Sequence, residues 1–275
     1  MKGHLVICMF LCASPGPAVA HEDLLTQLRD LDRRIATAPA ADLLARRADL
    51  RRRHREWDLA LDDYRAAEAL APGDPGIAMG RARIFLDRGM PGDALRELEP
   101  VVGKLPANGP GLLLQARALG SCGRIDESSE SFEKASAHLK PALPEHFIEH
   151  ADLLAAATPA RLLPAIAVLD EGIAKLGELI SLHSKALEFE LRGGITEAAL
   201  ARTRRIIAGP GSGNPRWRVT EGELLASLGR RDEAAETLTA ALKQIRTLEL
   251  RRRKTPALLE IEGSAEKALE KLGNP

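Results

Sequence analysis

Aromatic residues are scarce in this 275-residue chain, at 3% of the composition. Ala, Leu, Arg and Glu fill the space they leave, and these lose little rotamer freedom in a helix. An excess of one charge is also missing: 39 Lys and Arg balance 39 Asp and Glu. No global field therefore recruits nucleic acid or an anionic membrane. Only three cysteines occur, Cys8, Cys12 and Cys122, so beyond the first twenty residues a single thiol remains and no internal disulfide can form. Cys122 has no catalytic surroundings and reads as a packing residue at a helix end. No run after residue 20 is long and apolar enough to span a bilayer.

The first twenty residues read as a secretory leader. Lys2 gives a positive start, and Leu5 to Ala13 is an apolar stretch too short for a membrane span. Pro15 and Pro17 break it, and Ala18-Val19-Ala20 supplies a small-x-small cleavage pattern before His21. Bulky Phe10 and Leu11 before Cys12 argue against lipid attachment. The expectation is an exported protein, periplasmic or secreted, with no stable membrane insertion after the leader is removed.

What the chain does have is a repeat. Residues 58–75, 92–109 and 125–142 align with one another: Ala60, Ala94 and Ser128 are 34 apart. Tyr64, Leu98 and Phe132 follow each by four, Ala67, Val101 and Ala135 by seven, and Pro72, Pro106 and Pro141 close each unit. Upstream, Ala48, Ala82 and Ala116 are again 34 apart, with Gly89 and Gly123 between the two halves. Each unit is thus two helices joined by a tight turn. The small residues let the helices approach closely, and the apolar residues four apart form the buried stripe.

These segments resemble tetratricopeptide repeats, whose period is 34 residues. Trp57, Ala60, Tyr64, Ala67 and Pro72 carry the resemblance most closely. It covers three well-matched units over 41–142 and three looser ones over 143–247. A fourth unit uses Ala151, Leu154, Ala165 and Leu169. A fifth uses Leu182, Ala186, Phe189, Gly193 and Ala198, and a sixth Gly222, Leu225, Gly229, Ala234, Leu238 and Ala241. Gly209 to Pro215 reads as a flexible insertion. Leu24, Leu25, Leu28, Leu31 and Ile35 make an apolar face within 21–40, and Leu258, Leu259, Ile261, Ala265, Leu269 and Leu272 another within 248–275. Both read as capping helices that shield the ends of the array. The resemblance implies an all-α, right-handed α-solenoid of about six helix pairs.

Chemistry-bearing patterns are few. His146-Phe147-Ile148-Glu149-His150 matches an H-x-x-E-H zinc string, with two His one turn apart. The string falls inside a repeat helix, has no identifiable third ligand and lies in no α/β pattern, so both histidines read as solvated helix residues. The glycines of 209–213 lack the strand, Lys and Ser/Thr of a phosphate loop. The basic runs Arg51–Arg55 and Arg251–Lys254 have acidic neighbours and read as solvated helix faces. No catalytic residue, metal site or cofactor is expected.

Recognition remains. In the family that the chain resembles, the first helices of successive repeats line a concave groove that takes extended peptides or partner helices. That implies a groove lined by Asp49, Arg52 and Arg53, then Met79, Arg83 and Leu86, then Leu113 and Arg117. Arg83 and Arg117 are 34 apart and, with Arg52 and Arg53, suit a carboxylate, either an acidic side chain or a C terminus. The plainer alternative is that Asp49 and Asp87 pair with these arginines on a solvated face. The Lys and Asn of the chaperone-tail clamp are absent, since Ala45 and Asp49 stand in their places. The expected function is a scaffold binding another protein or peptide, and no nucleic acid. The alternatives are a structural subunit using the convex face or caps, and a metal-dependent hydrolase built on the histidine string. Protein recovered from an exporting bacterial host should have the intact mass of a chain starting at His21; retention of residues 1–20 would refute the leader.

Overall fold

The computed structural model describes residues 17–248 and 254–273. Most of the expected leader, the Leu24 side chain and Arg251–Arg253 of the second basic run lie outside the described residues. Among those described there are fourteen α-helices and no strand. They are α1 (Pro17–Thr37), α2 (Ala41–Arg53), α3 (Trp57–Leu70), α4 (Pro75–Asp87), α5 (Pro91–Lys104), α6 (Gly109–Ser121) and α7 (Ile125–His138). Then follow α8 (Pro144–Ala157), α9 (Leu162–Leu176), α10 (Ile180–Arg192), α11 (Thr196–Ala208), α12 (Pro215–Ser227), α13 (Arg231–Arg246) and α14 (Pro256–Gly273). None is long and apolar enough to cross a membrane.

Local sequence sets the helix ends. Asp74 before α4, Asn108 before α6 and Asn214 before α12 each accept a hydrogen bond from a first-turn N–H, at 2.7, 3.0 and 3.0 Å. Pro75 and Pro215 occupy first-turn positions, where no N–H partner is lost. The turn from first to second helix repeats a left-handed residue: Gly89, Gly123, Gly194 and Gly229 have φ of 70°, 75°, 68° and 76°. Arg55 stands at the same place in the first repeat with φ 62°, a region that disfavours any residue with a Cβ.

The contacts divide the chain into two compact units, one ending at Cys122 and one starting at Gly123. In the first unit, Ala48, Ala60, Ala82 and Ala94 are fully buried between helices, with Leu44, Tyr64, Ile77, Ile84 and Leu98 around them. The first helices of the repeats pack directly on one another, α2 on α4 and α4 on α6. Helix α1 packs on α2, with Leu31 buried and Ile35 against the core. Asp63 on α3 is buried, accepts two hydrogen bonds from Arg47 at 2.6 and 3.0 Å and one from Arg51 at 2.8 Å. Arg47 also donates to Asp32 on α1 at 2.6 Å, so one guanidinium ties three helices.

In the second unit, Phe147, Ala151, Ala165, Leu169, Leu182, Ala186 and Phe189 form one core across α8, α9 and α10. Helix α14 covers the far end: Ala265 is fully buried beside Val219, Leu238 and Ala241, with Ile261 and Leu269 packed alongside. Buried Arg202 on α11 bonds Glu190 on α10 at 2.8 Å and Asp170 on α9 at 2.9 Å.

Three readings of the sequence need correction. The small buried residue of α11 is Ala199, not Ala198, because the looser repeats drift from the 34-residue period. The segment 209–215 is a set of hydrogen-bonded turns rather than a flexible insertion: the Gly211 N–H reaches the Ile206 carbonyl at 2.8 Å, and Gly211 packs against Ile206 and Trp217. Cys122 does end α6, but its side chain is exposed and packs nothing away from solvent.

Gly80 decides how α4 meets α3. A Cβ on it would lie 2.2 Å from Tyr64 Cζ and 2.3 Å from the hydroxyl, so the ring lies where an α4 side chain would stand. Gly80→Ala should cost about 2 kcal/mol through this overpacking. In a Tyr64→Leu background, which removes the colliding atoms, the added cost of Gly80→Ala should fall below about 1 kcal/mol. Urea unfolding of the four proteins measures the coupling, and equal costs in both backgrounds would refute this account of the contact.

Candidate functional site

The strict 34-residue register sets Asp49, Arg83 and Arg117 at equivalent places on α2, α4 and α6, which pack side by side. Threaded between α3 and α4, Tyr64 donates its hydroxyl to Asp49 Oδ1 at 3.0 Å. Burial and the Asp49 carboxylate raise the Tyr64 pKa, while the charges of Arg83 and Arg52 pull it down. Both arginines therefore act on the same hydroxyl. Arg52 donates to Asp87 at 2.5 Å, and its Nε lies 3.7 Å from Asp49. Arg83 forms no hydrogen bond or ion pair among the described residues, although it is half-buried beside this group.

The structure thus brings Asp49, Arg52 and Arg83 together around one buried phenol. The alternative pairing holds for Arg52, whose partners are Asp49 and Asp87, and not for Arg83. Arg117 is exposed on α6, and Arg53 is exposed on α2. The apolar members behave differently from one another. Met79 and Leu86 are half-buried against Ala82, Leu98 and Leu114, which leaves part of each at the surface. Leu113 is 7% exposed and belongs to the interior, so it offers a ligand almost no area. Its helix position is the groove position by spacing, yet α6 is apolar nearly all round, and spacing alone does not show which leucine of Leu112-Leu113-Leu114 faces out.

Tyr64 was legible as a core residue, but its polar end was not. Nothing local indicates that its hydroxyl crosses to a carboxylate on the preceding helix. Asp63 gives a fainter signal: an acidic residue on the apolar stripe of α3, with Arg47 and Arg51 one turn apart on α2 to receive it.

The histidine string is divided between two structural jobs. His146 Nδ1 accepts the Leu143 N–H at 3.4 Å at the start of α8. His150 is buried rather than solvated: its Nε2 meets Ser129 Oγ at 2.8 Å, and its ring stacks on Phe132 with centroids 5.0 Å apart. Among the described residues no group of three His, Cys, Asp or Glu gathers as metal ligands would.

No protein-family model matches the chain, and no curated protein matches its sequence. Solved structures do match. The chain is similar to the C-terminal part of a TPR repeat-containing protein from Cytophaga hutchinsonii, with a TM-score of 0.61 at 13% identity, covering 88% of this chain and 95% of that one. It is similar to PilW, described as a type IV pilus biogenesis factor, with a TM-score of 0.57 at 15% identity over 70% of this chain and 88% of that one. A tetratricopeptide repeat protein from Parabacteroides merdae gives 0.52 at 15% identity over 90% and 94%. The fold is therefore that of the tetratricopeptide repeat solenoids, all-α and built from helix pairs.

Burial pulls the His150 pKa down to about 4, with Glu171 opposing weakly. The unfolded chain takes up this proton first, near pH 6.5, so the neutral, buried ring contributes stability that is full above pH 6.5 and lost as pH falls toward 4. At most about 3 kcal/mol is at stake. His150→Gln, which retains a polar partner for Ser129 without titrating there, should lose less stability than the parent between pH 6.5 and 4. Urea midpoints at pH 7, 5.5 and 4 measure this, and parallel losses in the two proteins would contradict it.

Proposed function

We propose that the chain is a non-catalytic scaffold that holds a protein or peptide against the face formed by α2, α4 and α6. The observation that carries this reading is Arg83, a half-buried guanidinium without an ion-pair partner among the described residues. It lies at the centre of a ladder whose flanking rungs are Asp49 and Arg117. A partly desolvated cation left unpaired costs free energy in the free protein, and a partner's carboxylate would recover it. Half-exposed Met79 and Leu86 beside it supply apolar contact. Packed first helices make such a face preformed, so the partner bears most of the ordering entropy.

The leader-like residues 1–20 support a place for the protein in the cell envelope or outside the cell. A catalytic role for the histidine string finds no support in the geometry, since His146 and His150 are engaged in helix capping and core packing.

Full-length chain carrying a C-terminal affinity tag, incubated with the envelope fraction of its own cells, tests the reading. Capture of its partner should fall at least tenfold in the Arg83→Glu, Arg117→Glu variant, the equivalent of about 1.4 kcal/mol or more. Capture that survives both reversals would place the interface on the second helices or the caps, as a structural subunit would have it.

A further inference from the structure

A cleft of about 480 Å³ opens between α1 and α2 in the first unit. Its apolar floor is Leu31, which is buried, and Leu50, which is half-buried. Four charged side chains matter around it: Arg46 and Arg53 on α2, Asp49 between them, and Asp30 on α1. The two acids are already matched. Asp30 lies 3.8 Å from Arg34, and Asp49 accepts from Tyr64 with Arg52 beside it. Arg46 and Arg53 are both exposed and form no ion pair or hydrogen bond among the described residues. The cleft therefore carries a local surplus of two guanidiniums, although the chain as a whole is neutral.

Spacing specifies what would fit. Arg46 and Arg53 are seven residues apart on one helix, so they share a face and stand roughly 10 Å apart along the axis, with Leu50 between them. A partner helix laid along this cleft meets that geometry with acidic residues at i and i+7 and an apolar residue at i+3 or i+4, all on one face. An extended segment does not, because side chains that span the same distance three residues apart point to opposite sides. A polyphosphate or an anionic bilayer fits poorly as well: Asp30 and Asp49 at the rim would repel it, and the apolar floor would go unused.

We propose that the α1/α2 cleft is a docking site for an acidic amphipathic helix of a partner protein, with its apolar side chain over Leu31 and Leu50 and its two carboxylates on Arg46 and Arg53. This rests on the scaffold reading above and assigns it a specific subsite at the N-terminal end of the array.

The test uses three synthetic helical peptides of one design, with Leu at i+3 and i+4, and Glu, Gln or Lys at both i and i+7. Binding to the full-length chain is read by fluorescence polarisation. The Glu peptide should bind at least tenfold more tightly than the Gln peptide, the Lys peptide least, and raised salt should weaken the Glu peptide. Arg46→Ala with Arg53→Ala should weaken the Glu peptide at least tenfold, and the paired Lys substitutions should restore part of the loss. Both positions are exposed, so unchanged circular dichroism and melting should accompany the change. Glu-peptide binding that is indifferent to the Arg46/Arg53 variant, or no binding, overturns the proposal. Loss of binding in the Arg83→Glu, Arg117→Glu variant but not in the cleft variant overturns it too, while leaving the central scaffold reading in place. Persistence in that variant with loss in the cleft variant supports the proposal, even if the central ladder is idle.

Discussion

Two helices can come close only where no side chain stands between their backbones, and this chain meets that requirement at a fixed interval. Ala48, Ala82 and Ala116 on the first helices, with Ala60, Ala94 and Ser128 on the second, are wholly buried and spaced by 34 residues. Larger residues take the places four further on, Tyr64, Leu98 and Phe132, and each fills the space that a small neighbour leaves. Gly80 below Tyr64, Gly172 below Phe147 and Gly222 below Leu238 carry the same device one step further, since a single Cβ would collide there. Because packing holds the period in the first half of the chain, every surface position of α2, α4 and α6 recurs in register. The Asp49, Arg83, Arg117 ladder is a consequence of that constraint, whatever it binds.

The arginines divide by what surrounds them. Arg47 and Arg51 on Asp63, and Arg202 on Glu190, are closed into buried pairs between helices. Such pairs contribute little net stability against an apolar alternative, yet removing one partner is costly, because a charge is then left in the interior. They fix which helix faces which. Arg46, Arg53 and Arg83 have no such partner among the described residues, and they lie on α2 and α4, on or beside the first-helix face. The neutral total charge conceals this division, which depends on partners brought together from separate helices.

Much of the fold was legible because it is written locally. The 34-residue ladder, the Asp or Asn before Pro or Gly at helix starts, and the glycines between paired helices each need only neighbouring residues to be read. The site was less legible because its details are not local. The burial of His150 depends on Phe132 and Ser129, about twenty positions upstream, and a helical i, i+4 pattern cannot tell a solvated face from one covered by another helix. Leu113 failed as a groove residue for the opposite reason: α6 is apolar on most of its circumference, so periodicity selects no outer face. The one-residue slip from Ala198 to Ala199 arises where the period stretches to accommodate extra turns such as Pro159–Arg161.

Arg55 shows how far the packing constraint overrides local preference. At the corresponding turn the later repeats place Gly, which adopts φ near 70° without strain. An L-residue with a Cβ costs about 1–2 kcal/mol there. The turn keeps the left-handed geometry with Arg in place because the helices on either side leave it no alternative. The Arg55 N–H still reaches the Arg52 carbonyl at 2.9 Å, while Arg47 and Arg51 on α2 grip Asp63 on α3 beyond it. Relaxing φ at Arg55 would rotate α3 away from α2, which would break three hydrogen bonds to a buried carboxylate and open the Ala48–Ala60 crossing. The strain is smaller than the cost of relieving it, so the turn holds the shape the stack requires.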